Sequence, residues 1–561
     1  MKLDKSKKIL IVLGVIFFFI YSWQTFSLTW PTMRSHGGHY ISSWPDAMAN
    51  YFFVGKLSQN NSLSYDEPLN VIANDTVQPR SVNVFDHKIV PTGFLGFILI
   101  IEVLGKLFGL YGLMLIISLM AVLAVGAFYG LVKRLYSERV AFMSALLLFI
   151  LPPFWYYSSL PLVPNVLFLS LVLCAYYLYF KQATNKIYYS LVSGLLFGLA
   201  LIIRPTEIVW LTALAVIPVC YWREHFKIKP VLIFIGSVLL PVIILLVINQ
   251  KLYGNAFYTG YLNLEPTKGD NVINRLPPEL ATNLSSYLAY PKLILAPFSI
   301  HPRLIIHNFN NYFIKLLWPW CLLLLGALVI MVRQTKTSKP TRAQNIYLWT
   351  VIVVGVSLLI YYGSWLFDDK LTLRLNTIGI SYVRYWLPLY VLMLPIIAYG
   401  LDKFMQRDSL SFTFSKTLGM KAHTLSKRIV LVVVGLLLFY FSWSTVYLKP
   451  GDGLNDQAKI TNSNYQLFEA MQAKVPKGAV IINDREDKIL FPEYSVIMFN
   501  GNYKIWAGAK NIVGKRPIYY LTQARQDFIV ELNERLKEFD LRLEKFTPVN
   551  DKFTLYSLKN N

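Results

Sequence analysis

The sequence is poor in charge and in cysteine. Charged residues fill 15% of its 561 positions and hydrophobic residues 55%, whereas a soluble domain carries roughly 25% charged residues. That balance excludes an ordinary soluble enzyme. Only three cysteines occur, Cys174, Cys220 and Cys321, each in an apolar stretch and without metal-ligand spacing. Neither a disulfide framework nor a zinc site is supported, and the thiols read as packing groups. Acidic residues are scarce beside basic ones, 31 against 54, for a net charge of +23. No nucleic-acid motif accompanies that excess. In a membrane protein it arises from the basic bias of cytoplasmic loops.

What the chain has instead is long apolar runs. At a rise of 1.5 Å per residue, about 20 such residues cross a hydrocarbon core. The pattern predicts about eleven transmembrane helices, near 9–30, 112–132, 138–153, 164–181, 187–203, 206–222, 230–249, 312–332, 345–366, 383–400 and 429–447. The first run follows Lys2, Lys5, Lys7 and Lys8 and continues through Trp23, Phe26 and Trp30 with no small-residue cleavage site. It reads as a retained helix rather than a signal peptide. The stretch Gly93 to Leu110 is apolar but contains Glu102 and Lys106, and it is expected to lie at the membrane interface.

Basic clusters fall in alternate loops and so on one side of this arrangement, among them the amino-terminal lysines, Lys133/Arg134/Arg139, Arg223/Lys227/Lys229 and Lys403 to Arg428, while the opposite short loops are nearly bare. The expectation is an integral plasma-membrane protein with a cytoplasmic amino terminus and an extracytoplasmic carboxyl terminus. Residues 31–111, 250–311 and 449–561 then face outward. The tail changes to mixed composition, with strand-like segments at 478–484, 494–500, 516–522 and 552–558 and helical spacing at 464–475 and 526–539. The fold class expected is an all-α polytopic membrane module over 1–448 with a small C-terminal extracytoplasmic α/β domain over 449–561.

Candidate chemistry concentrates in the outer pieces. Asp46, in SSWPDAMANY, lies just beyond the first helix. Partial desolvation at that depth makes a carboxylate a competent base, and a helix N-cap is the alternative. Asp66, Glu67, Asp75, Arg80, Asp86, His87 and Lys88 follow as a charged set able to build a polar cavity. Arg204, in LIIRPTEIVW, stands between two apolar stretches. Its guanidinium either grips a phosphate or pairs with Glu207 three residues on. Arg384, among Tyr382, Tyr385 and Trp386, occupies a similar helix entrance and can meet a lipid phosphate. The second outer segment, with Tyr258, Tyr261, His301 and Arg303, supplies aromatics and polar groups suited to carbohydrate.

The order of these features resembles the GT-C superfamily of membrane glycosyltransferases, in particular the dolichyl-phosphate-mannose protein mannosyltransferase and aminoarabinose transferase group. The features are WPDAMANY (44–51), GKLSQNNSLSYDEP leading to VPTGFLGFILIIEVLGKLFGLYG (90–112), LIIRPTE (201–207), SYVRYWLP (381–388) and an outer α/β tail. The resemblance implies sugar transfer from a polyprenyl- or dolichyl-phosphate carrier to a protein, glycan or lipid acceptor, with inversion at the anomeric carbon. Asp46 matches the group's first-loop catalytic aspartate, and Arg204 and Arg384 match basic positions near the lipid phosphate. Two departures stand out: Ala47 follows Asp46 where relatives carry Glu, and the turn PPFWYYSSLPLVPNV has Asn165 and no carboxylate. No metal ligands are assigned, and a divalent metal is disfavoured.

A polytopic transporter or lipid-linked-sugar flippase would share the helices and mark its path with buried ionisable groups. Concentration of polar residues in outer segments, lack of inverted-repeat hydropathy and the large tail argue against it. A noncatalytic scaffold is a third reading, under which Asp46 would be dispensable.

Overall fold

A computed structural model describes residues 5–181, 187–221, 228–258, 300–335, 340–365, 376–406 and 420–561. The chain divides into two compact units. One comprises Met1–Thr25, Met114–Ile244 and Pro266–Asp456, and the other Phe26–Leu113, Leu245–Glu265 and Gln457–Asn561. Tyr261 lies outside the described residues.

The first unit is helical. Among the described residues of the whole chain, eight helices are long and apolar enough to cross a membrane, and eleven qualify if three bent pairs count as single spans. The protein is thus a multi-pass membrane protein with close to the expected number of crossings. Its apolar side chains explain the surface as well as the core: Leu232, Leu240, Leu436 and Leu437 are exposed on their helices, as lipid-facing residues are.

The stretch expected at the interface is helical over Leu95–Leu113, broken at Gly109 (φ 74°), and is by length and composition also apolar enough for a span. Glu102 on it is buried and its carboxylate lies 2.5 Å from Lys106 Nζ one turn on, so each charge offsets the other. The segments 187–203 and 206–222, expected as separate spans, are helices Tyr188–Ile203 and Ile208–Tyr221 joined by a single 3-10 turn, Pro205–Glu207, with a bend of 112°. The Arg-Pro step causes it, because proline cannot donate into the preceding turn and pushes the residue before it out of helical geometry. Arg204 accordingly has φ −143° and ψ 77°.

The second unit is built on two sheets. β1 (Tyr65–Asp66), β2 (Val82–Phe85) and β3 (Lys88–Pro91) form an antiparallel sheet in the order β1-β3-β2. Asp86 and His87, both with positive φ, make the two-residue turn between β2 and β3, which matches the twist of a tight hairpin. The larger sheet has β4 (Val480–Asn483), β5 (Ser495–Met498), β6 (Ile518–Thr522), β7 (Leu541–Pro548) and β8 (Thr554–Asn560) in the order β5-β4-β6-β8-β7. β5, β4 and β6 run parallel, and β8 pairs antiparallel with both β6 and β7. The four strands expected in the tail are present. β7 was not legible as one, because Arg542, Glu544 and Lys545 break its apolar content and only Leu541 and Leu543 turn fully inward.

The first outer segment supplies part of this core. Leu69, Ala73 and Val77 pack with Val480, Ile482, Ile497, Trp506 and Tyr520, and Val77 makes a β-bridge to Ile497. Gly508, on helix Ile505–Lys510, allows the approach: a Cβ there would stand 2.5 Å from the carbonyl oxygen of Ala73 and 2.6 Å from Thr76 Oγ1. Gly508→Val is therefore expected to destabilise this unit by about 1–3 kcal/mol, read as a lowered thermal midpoint of the purified full chain. An unchanged midpoint would mean that the segment 69–77 yields without cost.

Candidate active site

Asp46 lies in the first turn of helix Pro45–Asn60. The cap position belongs to Trp44, so the N-cap reading of Asp46 is overturned. Pro45 starts the helix at no hydrogen-bonding cost, and Asp46 one residue on benefits from the helix dipole. Its Oδ1 accepts a hydrogen bond of 2.7 Å from Ser81 Oγ. Asp46 is exposed, so the described residues do not supply the desolvation expected of it.

The neighbour of Ser81 in sequence ties this region to the tail. The Arg80 backbone N–H donates to Asp487 Oδ2 at 2.6 Å, its Nε donates to Asp487 Oδ1 at 2.8 Å, and Nη2 donates to the carbonyl of Arg485. Asp487 is fully buried, and the paired charge-assisted bonds satisfy it. Lys488 follows on the short helix Asp487–Leu490, with 5% of its surface exposed. Burial pushes its ammonium down from the ordinary 10.5 to about 7, against the pull of Asp46 and Asp487. The unfolded chain therefore binds more protons than the folded one between about pH 7 and 10. Stability of the unit should rise with pH across that window. Lys488→Met is expected to flatten the rise in denaturation midpoint, and an unchanged slope would refute the assignment.

The arginines of the first unit converge on one aromatic ring. Arg204 Nε and Nη2 each reach Glu207 Oε1 at 2.7 Å, so the Glu207 pair is formed. The pair is buried and anchored: Tyr362 donates to Glu207 Oε1 at 2.6 Å, Arg204 Nη2 donates to Tyr362 OH at 3.3 Å, and Trp210 Nε1 donates to Glu207 Oε2. Arg204 Nη1 makes no hydrogen bond among the described residues. The Arg204 guanidinium lies 4.7 Å from the centre of the Tyr385 ring and that of Arg384 5.0 Å from it. Tyr385 in turn stacks on Tyr362 at 4.5 Å. Arg384 Nη2 donates to Ser381 Oγ at 3.1 Å, and the Arg384 carbonyl accepts from Asn165 Nδ2 at 3.2 Å.

The other residues expected at a site are placed differently. Glu67 is buried and takes bonds from Ser495 Oγ at 2.8 Å and from the Leu69 N–H at 3.3 Å, so it fastens the first segment to β5. Asp66 pairs with Lys88 at 3.2 Å, and His87 with Asp75 at 2.8 Å, both on the exposed hairpin. Tyr258 packs against Tyr253 and Phe85. His301 caps helix Pro302–Phe309 and its backbone N–H donates to Ser364 Oγ at 3.3 Å, while Arg303 is exposed. Tyr382 stacks on Tyr312 at 5.1 Å and donates to the carbonyl of Trp365. Of the first-segment set, Arg80 lies beside the Asp46 partner Ser81 in sequence and is bonded to Asp487.

A divalent ion does not suit the donors at Asp46: its surroundings are a hydroxyl and the cations Arg80 and Lys488, and Asp487 is already spent on Arg80. Sequence reasoning missed Ser81, Asp487, Lys488 and Tyr385. The run DREDK at 484–488, five consecutive charges directly after the apolar strand β4, was the one available signal.

Residues 94–248 match the family model described as dolichyl-phosphate-mannose-protein mannosyltransferase. No curated protein sequence matches the chain. Among solved structures, ArnT from Cupriavidus metallidurans bound to undecaprenyl phosphate superposes with a TM-score of 0.54 at 10% identity, over 98% of this chain and 97% of that one. The same enzyme in the apo state gives 0.52 at 10% identity with the same coverage. The oligosaccharyltransferase of Archaeoglobus fulgidus in the apo form gives 0.49 at 11% identity, over 92% of this chain and 69% of that one. The chain therefore shares the fold of ArnT, and its residues 94–248 match the pattern of the dolichyl-phosphate-mannose-protein mannosyltransferase family.

Proposed function

We propose that this protein is a membrane glycosyltransferase that moves a sugar from a polyprenyl-phosphate carrier to an acceptor hydroxyl on the outer face of the membrane. The observation that carries the reading is the carboxylate of the exposed Asp46, which accepts from Ser81 Oγ and stands in the first turn of a helix just after the first span. The matched family description and the undecaprenyl phosphate bound by the structurally similar ArnT support the choice of a lipid-phosphate donor.

In the proposed reaction the acceptor oxygen attacks the anomeric carbon, the bond from that carbon to the phosphate oxygen breaks, and the acceptor proton passes to Asp46. The attack comes from the face opposite the phosphate, so the configuration inverts. Within the helical unit, Arg204 and Arg384 are the groups suited to a lipid phosphate, since a guanidinium presents paired donors to phosphate oxygens. The basic residues of alternate loops support an orientation with the amino terminus in the cytoplasm and the tail outside.

The test is incubation of the purified chain in vesicles with a panel of polyprenyl-phosphate sugars, scoring free lipid phosphate. Release with one donor class, dependent on a hydroxyl acceptor, is expected. Movement of intact donor across the vesicle bilayer without release would overturn the reading in favour of a flippase.

A further inference from the structure

Lys488 is a charged group whose hydrogen bonds are missing. Its Nζ is buried and has no hydrogen-bond partner in the structure. An ammonium has three donors, and leaving them unmet in a buried place costs several kcal/mol. Packing alone does not explain a lysine at this position, because a methionine would fill the space without that cost. Its charge is attracted by Asp46 on helix Pro45–Asn60 and by Asp487 on its own helix, and the two helices are tied together through Ser81, bonded to Asp46, and Arg80, bonded to Asp487. Arg80 already neutralises Asp487, so the partner left to Lys488 is the region of Asp46, where one carboxylate oxygen is fixed by Ser81.

We propose that Lys488 is a substrate-binding residue, donating to the oxygen of a substrate hydroxyl that simultaneously donates its proton to Asp46. This rests on the glycosyl-transfer reading and deepens it, because it assigns a residue of the C-terminal tail to the site of attack. The hydroxyl belongs either to the acceptor or to the donor's sugar ring. Both sources offer the same group, an O–H that accepts from the ammonium and gives to the carboxylate.

The arrangement has a pH signature. The ammonium is the donating form, and it is lost as pH rises through about 7. The other groups facing this helix are Arg80, paired to Asp487, and the segment before it, where burial raises Asp484 and Glu486 and Arg485 stands between them. On the remaining sides lie Glu67, bound to Ser495, and His39, which faces Ile489 and Glu493 and is pushed below its ordinary value by burial. Only a change at Lys488 itself moves a limb that belongs to Lys488.

The experiment measures lipid-phosphate release by the full chain, with acceptor and donor varied separately, for wild type, Lys488→Met and Lys488→Arg. Lys488→Met is expected to lower kcat/KM about 100-fold. A raised KM for the acceptor alone assigns the hydroxyl to the acceptor, and a raised KM for the donor alone assigns it to the sugar. Lys488→Arg should retain much of the activity and extend it to higher pH, since its side chain stays charged. Wild-type and Lys488→Met enzymes with equal kcat, equal KM values and the same alkaline limb would overturn the proposal while leaving glycosyl transfer intact. A wild-type chain that releases no lipid phosphate from any donor overturns both.

Discussion

Asp46→Asn is expected to reduce sugar transfer by about 10²–10⁴-fold with protein level unchanged. The magnitude is that of losing a positioned general base. The substitution isolates basicity from geometry, because the amide oxygen of Asn can still accept the 2.7 Å bond from Ser81 Oγ, while it cannot take up the acceptor's proton. Asp46 is exposed on the first turn of its helix, but its charge is one that the buried Lys488 feels, so the thermal midpoint is read on the same preparation to separate lost folding from lost basicity. The measurement is kcat at saturating donor and acceptor, and a loss confined to KM would place Asp46 in binding instead. Full activity of the variant would remove the base from the mechanism and favour a noncatalytic role for the chain.

The second large effect is expected at Arg204 and Glu207, where stability and activity should separate. Glu207→Ala alone leaves a buried guanidinium without its 2.7 Å partner, and truncating one side of such a pair costs about 3–5 kcal/mol. Replacing both residues with methionine removes both charges and should recover most of that loss, because a buried pair and an apolar pair of similar volume differ little in net stability. If Arg204 stabilises the departing phosphate, the double variant stays impaired by about 100-fold or more despite its restored midpoint. Recovery of activity along with stability would reduce Arg204 to a structural brace of the Pro205 bend. The paired measurements are thermal midpoint and kcat on the same preparations.

Legibility differed from residue to residue, for reasons that are physical. Arg204 and Arg384 stood out because an ionisable group between apolar runs is costly wherever it ends up, and both prove to be built into one aromatic cluster around Tyr385. Tyr385 itself was indistinguishable from an interfacial anchor, since aromatics are common at that depth. Glu67 and Arg80 read as exposed loop charges. Their partners, Ser495 and Asp487, lie more than 400 positions away, a separation that no local pattern encodes. In the stretch at 93–110 the i,i+4 spacing of Glu102 and Lys106 already placed them one turn apart, and the structure closes them into a pair.

By itself the sequence determined the solvent in which this protein lives, the approximate number of crossings and the places where charge interrupts them, because hydropathy and helical period act over neighbouring residues and need no partner. It also marked the start of a mixed α/β tail through composition and period-two runs. Only the tertiary structure decided that residues 69–77 complete the core of that tail, that Arg80 belongs to Asp487, and that Lys488 is buried with its donors unmet. Those facts depend on long-range closure of the chain, in which burial selects partners by shape and charge regardless of their distance in sequence.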